Sequence, residues 1–489
     1  MTPATPSAPA LRSYQHLARL DLYRLWRSGA RGALLVLPTG AGKTHTAYSV
    51  VDRELADGHR VLWLAHVDVL LGQSVRTAAR YGHAEPGVLK AGWTSPRAAL
   101  QVGSMQTLGR RLEAVSRRFT PDLIVVDEAH RAVCSTYSRV LAAWPSARVL
   151  GLTATPWRTD GRGLGEAFDA IVCPTTPQRL VDQGHLVPPR MRRLQWQPDL
   201  AGVHRRAGEY ATGEVEKAVA PGLGDVASAC ERAIAEGDAP VLAFAVSVAH
   251  STALRDELAR RGVRAAHVDA DTDSDARDEL LGEAGALANG AVQVVCSVGV
   301  LDEGVDCPDV RTVVLSPTAS SARYLQRIGR GLRPAPGKTH CRVVDAGGNW
   351  ERHWWPTEDV SPFYDLQGAP DARRIRGDDV GASVRACGAC FTLHAAQRWP
   401  RGAPCPSCDH LEPARAIRVE DKGLVETEVR RENLIPWADK AKAWTGLCDT
   451  VVERGYAWKW ALLAFRRRYG HGPSRAMIAA LRGRVERAA

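Results

Sequence analysis

The sequence predicts an α/β protein built from two open, mainly parallel β-sheets, followed by a small metal-binding unit and a helical tail. Short apolar runs alternate with helical patterns in two separate stretches of the chain, which is typical of parallel sheets covered by helices. Four cysteines then come in two closely spaced pairs, and the region after them is basic and has helical spacing. These three observations predict the fold class.

Length and cysteine usage bound the class further. A chain of 489 residues is too long for one hydrophobic core, so we expect two to four domains. There is neither an apolar run of about 18 residues nor a secretory signal pattern at the start, so the sequence predicts a cytoplasmic protein without a membrane span. Seven of the 11 cysteines are scattered, which favours a reducing compartment over a disulfide scaffold.

The net charge of +10 is unevenly distributed along the chain. Residues 413–489 carry 16 Lys and Arg against 9 Asp and Glu, a difference of +7. Such a basic region favours an acidic polymer as partner, nucleic acid first. The alternative is a solvated basic face that only keeps the protein in solution.

The first helical pattern carries one candidate ligand. Residues 1–10 are rich in Pro and Ala and are predicted to be disordered. The leucines that follow have helical spacing up to Trp26, and Gln15 stands near the start of this helix. Its amide offers both a donor and an acceptor, which the N6/N7 edge of adenine needs. The alternative is an ordinary polar residue at a helix start.

A strand, a glycine-containing loop and a helix follow in that order. The loop comprises Leu37, Pro38, Thr39, Gly40, Ala41, Gly42, Lys43 and Thr44. Glycines let backbone N–H groups surround phosphate oxygens, and the positive end of the helix favours an anion. Lys43 would neutralise the β- and γ-phosphates and Thr44 would hold Mg²⁺. Because the strict pattern begins with Gly where this chain has Leu37, an incidental strand-to-helix turn is the alternative.

A second buried strand ends in two carboxylates. Four apolar residues precede Asp127 and Glu128. A magnesium ion bridging to a triphosphate would give Asp127 a partner, and Glu128 could then orient and deprotonate the attacking water. The alternative is an exposed acidic loop. The next strand ends at Thr153 and Thr155, whose hydroxyls could sense the nucleotide.

The second half repeats the α/β pattern after a polar, glycine-rich stretch at residues 190–224, which is interpreted as a linker. Strands are predicted at residues 240–245, 263–268 and 292–296. Later, Arg327, Arg330 and Arg333 recur every third residue. They form either a basic helix face or a group suited to the spreading charge of phosphoryl transfer.

In this order the motifs resemble those of superfamily 2 helicases, most closely the bacterial and phage DEAD/DEAH-box group. The resemblance covers about residues 11–356 and rests on Pro38–Thr44, Asp127–His130, Thr153–Pro156, Glu303–Asp306 and Gln326–Arg333. Within this family a loop that begins Pro-Thr-Gly is usual, so Leu37 is no departure. The resemblance implies two RecA-like domains of the P-loop NTPase class, ATP as substrate and Mg²⁺ as cofactor.

The resemblance also implies roles for individual residues, each carried over from the matching motif position. The implied catalytic residues are Lys43, Asp127 and Glu128, with Arg330 and Arg333 as arginine fingers. Further contacts to ATP or Mg²⁺ are implied for Gly304, Asp306 and Gln326, the last standing where many relatives have His. A role in coupling ATP hydrolysis to nucleic-acid binding is implied for His130, Thr153 and Thr155. Nucleic-acid contacts are implied for His66, Gln73, Gln106 and Thr107.

Two Cys-x-x-Cys pairs predict a metal site late in the chain. Cys387 and Cys390 are separated by fourteen residues from Cys405 and Cys408. Four thiolates close a tetrahedral Zn²⁺ site and leave no open position, so we expect one structural zinc in a ribbon. A pair of redox dithiols is the alternative.

The helical tail combines aromatic and basic residues. Interleaved aromatics and arginines, such as Trp458, Trp460 and Arg466–Arg468, can stack on bases and neutralise phosphates, although a small helical core with a solvated face is the alternative. The predicted organisation is a disordered N-terminus at 1–10, an ATP-binding RecA-like domain at 11–190, a linker at 191–224, a second RecA-like domain at 225–356, a linker at 357–383, a zinc ribbon at 384–412 and a basic helical tail at 413–489.

The resemblance implies an ATP-dependent helicase or translocase that acts on DNA, with single-stranded or forked DNA favoured and RNA possible. Arg330 and Arg333 would reach ATP only when the cleft between the domains closes. The alternatives are a duplex translocase that never separates strands, an RNA helicase, and a nucleic-acid-binding adaptor with an inactive ATPase core. The predicted location is the cytoplasm, in association with the nucleoid of a bacterial or phage-infected cell, and the tail is a candidate surface for protein partners.

Overall fold

The computed structural model describes residues 10–65, 68–83, 85–90, 92–131, 135–158, 160–282, 284–302, 307–369, 384–387, 392–395, 403–410 and 444–449. The chain divides into two compact units, residues 1–414 and 415–489. Two large β-sheets organise the first unit. Residues 10–188, around one sheet, are called the first lobe, and residues 189–353, around the other, are called the second lobe.

The first lobe alternates strands and helices. Its elements in chain order are α1 (Ser13–Arg27), β1 (Gly32–Val36), α2 (Lys43–Ala56), β2 (Val61–Ala65), α3 (Asp68–Arg80), β3 (Gly87–Leu89), β4 (Trp93–Thr94), β5 (Leu100–Ser104), α4 (Met105–Ser116), β6 (Leu123–Val126), α5 (Ser135–Ala142), β7 (Arg148–Thr153), β8 (Ala170–Val172) and α6 (Pro177–Asp182). The sheet order is β4-β3-β5-β2-β6-β7-β1-β8. All neighbours are parallel except β3 and β4.

The apolar strands of this lobe are buried along their whole length. Every residue of β1, β2, β5 and β6 is buried. Parallel strands are covered by helices on both faces, so their sequences are continuous apolar runs rather than alternating ones. This explains why the sequence pattern located these strands.

The strand register brings three chain segments to one edge of the sheet. Val36 at the end of β1 lies opposite Thr153 at the end of β7. The N–H of Leu37 donates to the carbonyl of Thr153 at 3.1 Å. β6 is the next strand beyond β7, and Asp127 follows it directly. Ligands of open α/β sheets bind at the carboxyl ends of such strands.

The second lobe has the same alternation. Its elements are β9 (Pro189–Arg193), β10 (Arg205–Arg206), β11 (Glu209–Tyr210), α7 (Thr212–Val219), α8 (Leu223–Ala235), β12 (Val241–Phe244), α9 (Val248–Arg260), β13 (Ala265–Val268), α10 (Ser274–Leu281), β14 (Val294–Ser297), β15 (Thr312–Leu315), α11 (Ser321–Gly331), β16 (Cys341–Asp345) and α12 (Asn349–Arg352). Two further strands follow, β17 (Val384–Ala386) and β18 (Thr392–Ala395). The sheet order is β13-β14-β12-β15-β16-β9-β18-β17.

The prediction that residues 191–224 form an irregular linker is wrong for most of that stretch. β9 is a central strand of the second sheet and pairs in parallel with β16. Downstream, β10 and β11 form a hairpin, and α7 buries Val215 and Val219 against Tyr210 and Trp196. Two apolar residues four positions apart lie on the same face of a helix, and burying that face is enough to hold a short helix in place. The many glycines concealed this pattern.

The cysteine-bearing segment is built onto the second sheet. β18 pairs antiparallel with β9, with Thr392 opposite Arg192 and Leu393 opposite Met191. β17 then pairs antiparallel with β18. The sequence predicted a ribbon after a linker, without predicting that a strand of the second sheet would support it.

The second unit, residues 415–489, is described over residues 444–449, which are helical with Trp444 and Cys448 buried. The other residues of the predicted tail lie outside the described part of the chain. Among the described residues, no helix combines the length and the apolar character that crossing a membrane requires.

Candidate nucleotide-binding site and metal centre

The loop between β1 and α2 turns on two glycines. Gly40 has φ 84° and Gly42 has φ 78°, values in the left-handed region that glycine adopts without strain. The N–H of Ala41 donates to the carbonyl of Pro38 at 3.0 Å, and the Lys43 ammonium donates to the carbonyl of Leu37 at 3.3 Å. α2 begins directly at Lys43, so the positive end of the helix stands at the loop. This geometry suits an anion such as a phosphate group at the loop.

Helix α1 supports this loop through Tyr14 and Gln15. The Tyr14 hydroxyl donates to the carbonyl of Ala41 at 2.7 Å, and Gln15 Nε2 donates to the same carbonyl at 3.3 Å. Gln15 Oε1 accepts from the N–H of Arg12 at 2.8 Å. Gly42 has φ 78°, and a Cβ on it would lie 2.6 Å from Gln15 Nε2, so a side chain there would be strained and would displace the Gln15 amide. Gln15 is therefore part of the loop's support, and its contact with adenine stays a prediction.

The acidic pair stands on a strained turn after β6. Glu128 has φ 50°, an uncommon value for a residue with a side chain, and its N–H donates to Asp127 Oδ1 at 3.0 Å. His130 Nδ1 lies 3.4 Å from Glu128 Oε2. Backbone strain of this kind costs about 1–3 kcal/mol and is concentrated at functional sites. The turn holds the two carboxyl groups at the same sheet edge as the loop.

The two threonines of the next strand end form a closed turn. Thr153 Oγ1 donates to the carbonyl of Thr155 at 2.7 Å, and the N–H of Thr155 donates back to Thr153 Oγ1 at 3.2 Å. Both residues are fully buried. Because Thr153 also binds Leu37 through its carbonyl, this turn links the loop to the chain that leaves β7.

The second lobe packs helix α11 directly on the loop. A Cβ added to Gly329 would lie 2.4 Å from Thr39 Cβ, so the helix backbone and the loop are in close contact. A Cβ added to Gly40 would lie 3.1 Å from Arg333 Cγ. The structure therefore brings Arg333 of one lobe beside the loop of the other.

A buried carboxylate organises the arginines of α11. Arg327 donates from Nε to Asp302 Oδ1 at 2.7 Å and from Nη2 to Asp302 Oδ2 at 3.3 Å. Arg330 Nη2 donates to the backbone carbonyl of Asp302 at 2.6 Å. Buried pairs of this kind hold a planar guanidinium in one orientation. Arg327 is thus occupied within the second lobe, whereas Arg330 and Arg333 lie within electrostatic reach of the loop lysine.

The charges of both lobes act on Lys43. Burial has the largest influence on the pKa of this ammonium group and lowers it. Glu128 and Asp127 raise the pKa, Arg330 and Arg333 lower it, and the net shift is downward. All five residues therefore belong to one electrostatic cluster at the interface of the lobes, which suits a strongly anionic ligand.

The residues at the loop fit a magnesium ion bound together with a phosphate chain. Asp127 supplies carboxylate oxygens and Thr44 a hydroxyl oxygen, and oxygen is the ligand atom that Mg²⁺ prefers. Asp127 is only 9% exposed, so its charge is held at a largely desolvated edge. The donor set therefore agrees with the ion that the sequence predicts.

Three of the four predicted zinc ligands are described, and they lie together. The sulfur atoms of Cys387, Cys405 and Cys408 are within 4.8 Å of one another. Cys387 Sγ and Cys408 Sγ are 3.7 Å apart. A tetrahedral zinc ion with Zn–S bonds of about 2.3 Å requires sulfur atoms about 3.8 Å apart. The thiolate set thus fits a structural zinc ion.

Several predicted residues cannot be placed in full. His66, Gly304, Asp306 and Cys390 lie outside the described residues. The backbone of Gln73 is on α3, but its side chain also lies outside the described part. At the start of α4, Gln106 is exposed and Thr107 is half-buried. Gln326 on α11 is buried, and its Nε2 has no hydrogen-bond partner among the described residues.

Two family models match the chain, one over each lobe. The model described as "Type III restriction enzyme, res subunit" matches residues 8–158. The model described as "Helicase conserved C-terminal domain" matches residues 226–335. The first match contains the loop between β1 and α2, called the phosphate loop, and the acidic pair Asp127 and Glu128. The second match contains α11, called the arginine helix. The chain belongs to superfamily 2 of the helicases.

Known relatives of this superfamily 2 chain include viral and archaeal proteins. A 51.5 kDa protein of a Lactococcus phage (isolate 7-9) is 28% identical over 65% of this chain and 66% of its own length. The "DNA 3'-5' translocase XPB2" of Sulfurisphaera tokodaii is 25% identical over 66% of this chain and 78% of its own length. The chain therefore spans just under two-thirds of the phage protein.

Among solved structures, the ATP-dependent Type ISP restriction-modification enzyme LlaBIII bound to DNA has the same fold over part of its length. Its TM-score is 0.50 at 17% identity, with 70% of this chain and 28% of that chain covered. The predicted fold class is confirmed as two parallel-sheet α/β lobes of the RecA-like type, and the cysteine cluster fits the small zinc site.

Sequence reasoning missed several residues at this site of the superfamily 2 chain. Asp302 directly precedes the predicted Glu303–Asp306 motif. It binds Arg327 and Arg330, which are three residues apart, and an acidic residue beside a motif is a sequence signal for such an ion pair. His394 Nε2 lies 3.4 Å from Cys405 Sγ, next to the predicted zinc ligands. Trp157 follows the threonine motif directly and contacts the arginine helix. Only Asp302 was within reach of pattern analysis.

Removing one thiolate is expected to remove the metal. Cys387→Ser should reduce bound zinc from about one ion per chain to a small fraction, because a structural site needs its complete sulfur set. Elemental analysis of the purified protein measures this. Cys173→Ser, at a half-buried position outside the cluster, is the matched control and should keep its zinc. Full zinc content in Cys387→Ser would contradict the assignment.

Proposed function

We propose that the chain is an ATP-dependent DNA helicase or translocase whose ATP site forms between the two lobes. The contact of α11 with the phosphate loop is the main support for this proposal. Gly329 packs on Thr39 and Arg333 on Gly40, so groups from both lobes meet at one place. A site divided in this way makes hydrolysis depend on the relative position of the lobes.

The residues of the first lobe would bind and activate ATP. The loop N–H groups and Lys43 would bind the β- and γ-phosphates, and the Gln15 amide would read adenine. A magnesium ion held by Asp127 and Thr44 would neutralise charge on the phosphates. Glu128 accepts the proton of the attacking water, and its strained backbone fixes the direction of the carboxylate. His130, which lies beside the Glu128 carboxylate, would couple hydrolysis at the ATP site to nucleic-acid binding.

The residues of the second lobe would complete the site. Arg330 and Arg333 stabilise the charge that spreads over the transferred phosphoryl group, while Gln326, Gly304 and Asp306 contribute further contacts. Loss of the γ-phosphate removes the anion that holds the arginines at the loop. The lobes then separate, and this opening would shift them along a nucleic-acid strand.

DNA is proposed over RNA because of the relatives. The archaeal relative is named as a DNA translocase, and the neighbouring restriction enzyme was solved with DNA. Nucleic acid would cross both lobes and contact mainly its phosphates, so sequence preference should be weak. Candidate contacts on the first lobe are Gln106 and Thr107, with His66 and Gln73. The proposed location is the cytoplasm, on the DNA of a bacterial or phage-infected cell.

The experiment that tests this proposal is a panel of steady-state ATPase assays with zinc-loaded protein. The protein is assayed alone and with single-stranded DNA, duplex DNA, forked DNA and RNA. We expect at least about tenfold stimulation by a DNA form, because DNA closes the cleft and positions the arginines. Stimulation by RNA alone would contradict the DNA assignment. Hydrolysis under no condition would favour an adaptor with an inactive core.

Strand separation distinguishes a helicase from a duplex translocase. A helicase releases the labelled strand of a forked duplex in the presence of ATP. A duplex translocase leaves the fork paired but displaces a third strand bound to the duplex. Both outcomes agree with an ATP-driven motor, and the comparison decides which kind this chain is.

A further inference from the structure

The chain returns to the first lobe after it leaves the second. Residues 354–369, called the strap, follow α12 and form main-chain hydrogen bonds with residues 161–165. The N–H of Gly165 donates to the carbonyl of Leu366 at 2.9 Å, and the N–H of Ala369 donates to the carbonyl of Gly161 at 2.8 Å. Arg162 and Gly368 form an antiparallel bridge. The strap therefore joins the two lobes at a second place besides the nucleotide loop.

The strap docks closely on a glycine of the first lobe. A Cβ added to Gly163 would lie 1.9 Å from the carbonyl oxygen of Leu366. Any side chain at position 163 must displace the strap backbone. Glycine is therefore required for this contact, independently of its conformational freedom.

An aromatic cluster covers the start of the strap. Trp157, which is 1% exposed, lies at the centre of this cluster. Its ring is 6.1 Å from that of Trp354 and 5.8 Å from that of Tyr364, both in edge-on geometry. Ala322 of α11 belongs to the same buried group. Edge-on aromatic contacts of this kind stabilise packing beyond the area they bury.

Trp157 also binds the arginine helix by a hydrogen bond. Its indole Nε1 donates to Ser321 Oγ at 3.2 Å, and Ser321 is the first residue of α11. Gly329, which packs on Thr39, lies about 12 Å further along the same helix at 1.5 Å per residue. The first lobe therefore contacts α11 at two points, one at Trp157 and the other at the phosphate loop.

We propose that Trp157 is a positioning residue for ATP hydrolysis, which together with the strap fixes the N-terminal end of α11 on the first lobe. The helix then pivots about this end when the cleft opens, and Arg330 and Arg333 return to the same place at each closure. This inference rests on the proposed function, because it concerns the approach of the arginines to ATP. A displacement of about 1 Å at a reacting group lowers a rate by about 100-fold, so the position of the pivot matters.

The indole hydrogen bond is tested by a mutant cycle. Trp157→Phe keeps a ring but removes the donor, and Ser321→Ala removes the acceptor. We expect each to lower kcat of DNA-stimulated hydrolysis by about tenfold, with KM for ATP changed less than about twofold. The double variant should be no worse than either single variant, because both remove the same bond. Trp144→Phe, which removes another buried indole donor of the first lobe, should leave kcat unchanged.

Hydrogen exchange tests the strap without any assay of activity. Gly163→Ala should speed amide exchange in the strap and in α11 together, because both share Trp157. Gly202→Ala, at a position with nothing within 4 Å, is the matched control and should change neither. Faster exchange confined to the strap, or unchanged kcat in Trp157→Phe, would overturn the inference.

The two proposals fail in different ways. An unsubstituted protein that never hydrolyses ATP contradicts the proposed function, whereas exchange still reports whether the strap holds α11. Hydrolysis by the unsubstituted protein that Trp157→Phe and Ser321→Ala leave unchanged contradicts the positioning role alone.

Discussion

Glu128→Gln is expected to abolish ATP turnover and to leave ATP binding intact. The amide is nearly isosteric with the carboxylate but cannot accept a proton from the attacking water. General-base catalysis contributes about 100- to 10,000-fold to a rate, so we expect kcat to fall by about 1,000-fold or more. Lys43, Thr44 and Asp127 remain in place, so the dissociation constant for ATP should change little. Single-turnover hydrolysis and binding of a fluorescent ATP analogue measure the two quantities.

Two further variants serve as comparisons for Glu128→Gln. Lys43→Ala should lose both turnover and tight binding, because the lysine contacts the phosphates in the ground state as well as in the transition state. Glu113→Gln, on α4 with a side chain that is 81% exposed, changes the same chemical group and should keep full activity. Hydrolysis retained by Glu128→Gln would remove the general-base assignment.

Arg333→Ala is expected to have an effect of similar size from the other lobe. Arginine fingers contribute about 1,000- to 100,000-fold to phosphoryl transfer, because a planar, permanently charged group matches the spreading phosphoryl charge. Arg333 lies against Gly40 of the loop, so its loss should lower kcat by at least about 1,000-fold. The initial rate of phosphate release at saturating ATP measures this kcat.

Two variants serve as comparisons for Arg333→Ala. Arg260→Ala removes an exposed arginine from α9 of the same lobe and should leave kcat unchanged. Arg333→Lys should restore little activity, since a lysine lacks the fork geometry. A decrease of less than about tenfold in Arg333→Ala would mean that Arg333 only supports the contact between the lobes.

Strand positions near the site were predictable because they depend on local patterns. The short apolar runs before Asp127 and Leu37 are typical of buried parallel strands. A parallel sheet then places the ends of such strands at one edge. The strand pattern therefore predicts that the loop, the acidic pair and the threonine turn lie at one edge, and the resemblance supplies their roles.

The fold around residues 191–224 was not predictable in the same way. Its strand β9 reads Pro-Arg-Met-Arg-Arg, with one apolar residue, and becomes a strand because β16 and β18 lie on either side of it. Tertiary pairing outweighs local propensity in such strands. No periodicity in the sequence indicates these neighbours.

The strap and its partner also depend on distant pairs. Gly163 and Leu366 are brought together only by the packing of the lobes, and Trp157 finds Ser321 by the same packing. A single sequence contains no record of which distant residues meet. The motif residues could be assigned to ATP from pattern and resemblance, whereas the residues that hold the arginine helix in place needed the structure.

ATP hydrolysis between the lobes is proposed to drive movement along DNA. The most direct test is the steady-state ATPase rate at saturating single-stranded DNA of increasing length, with duplexes of matched lengths in parallel. A motor spends a larger share of its time moving on longer strands, so the rate should rise with length and then level off for at least one of the two forms. A rate that DNA stimulates equally at every length, or does not stimulate at all, would show that this chain does not move along DNA.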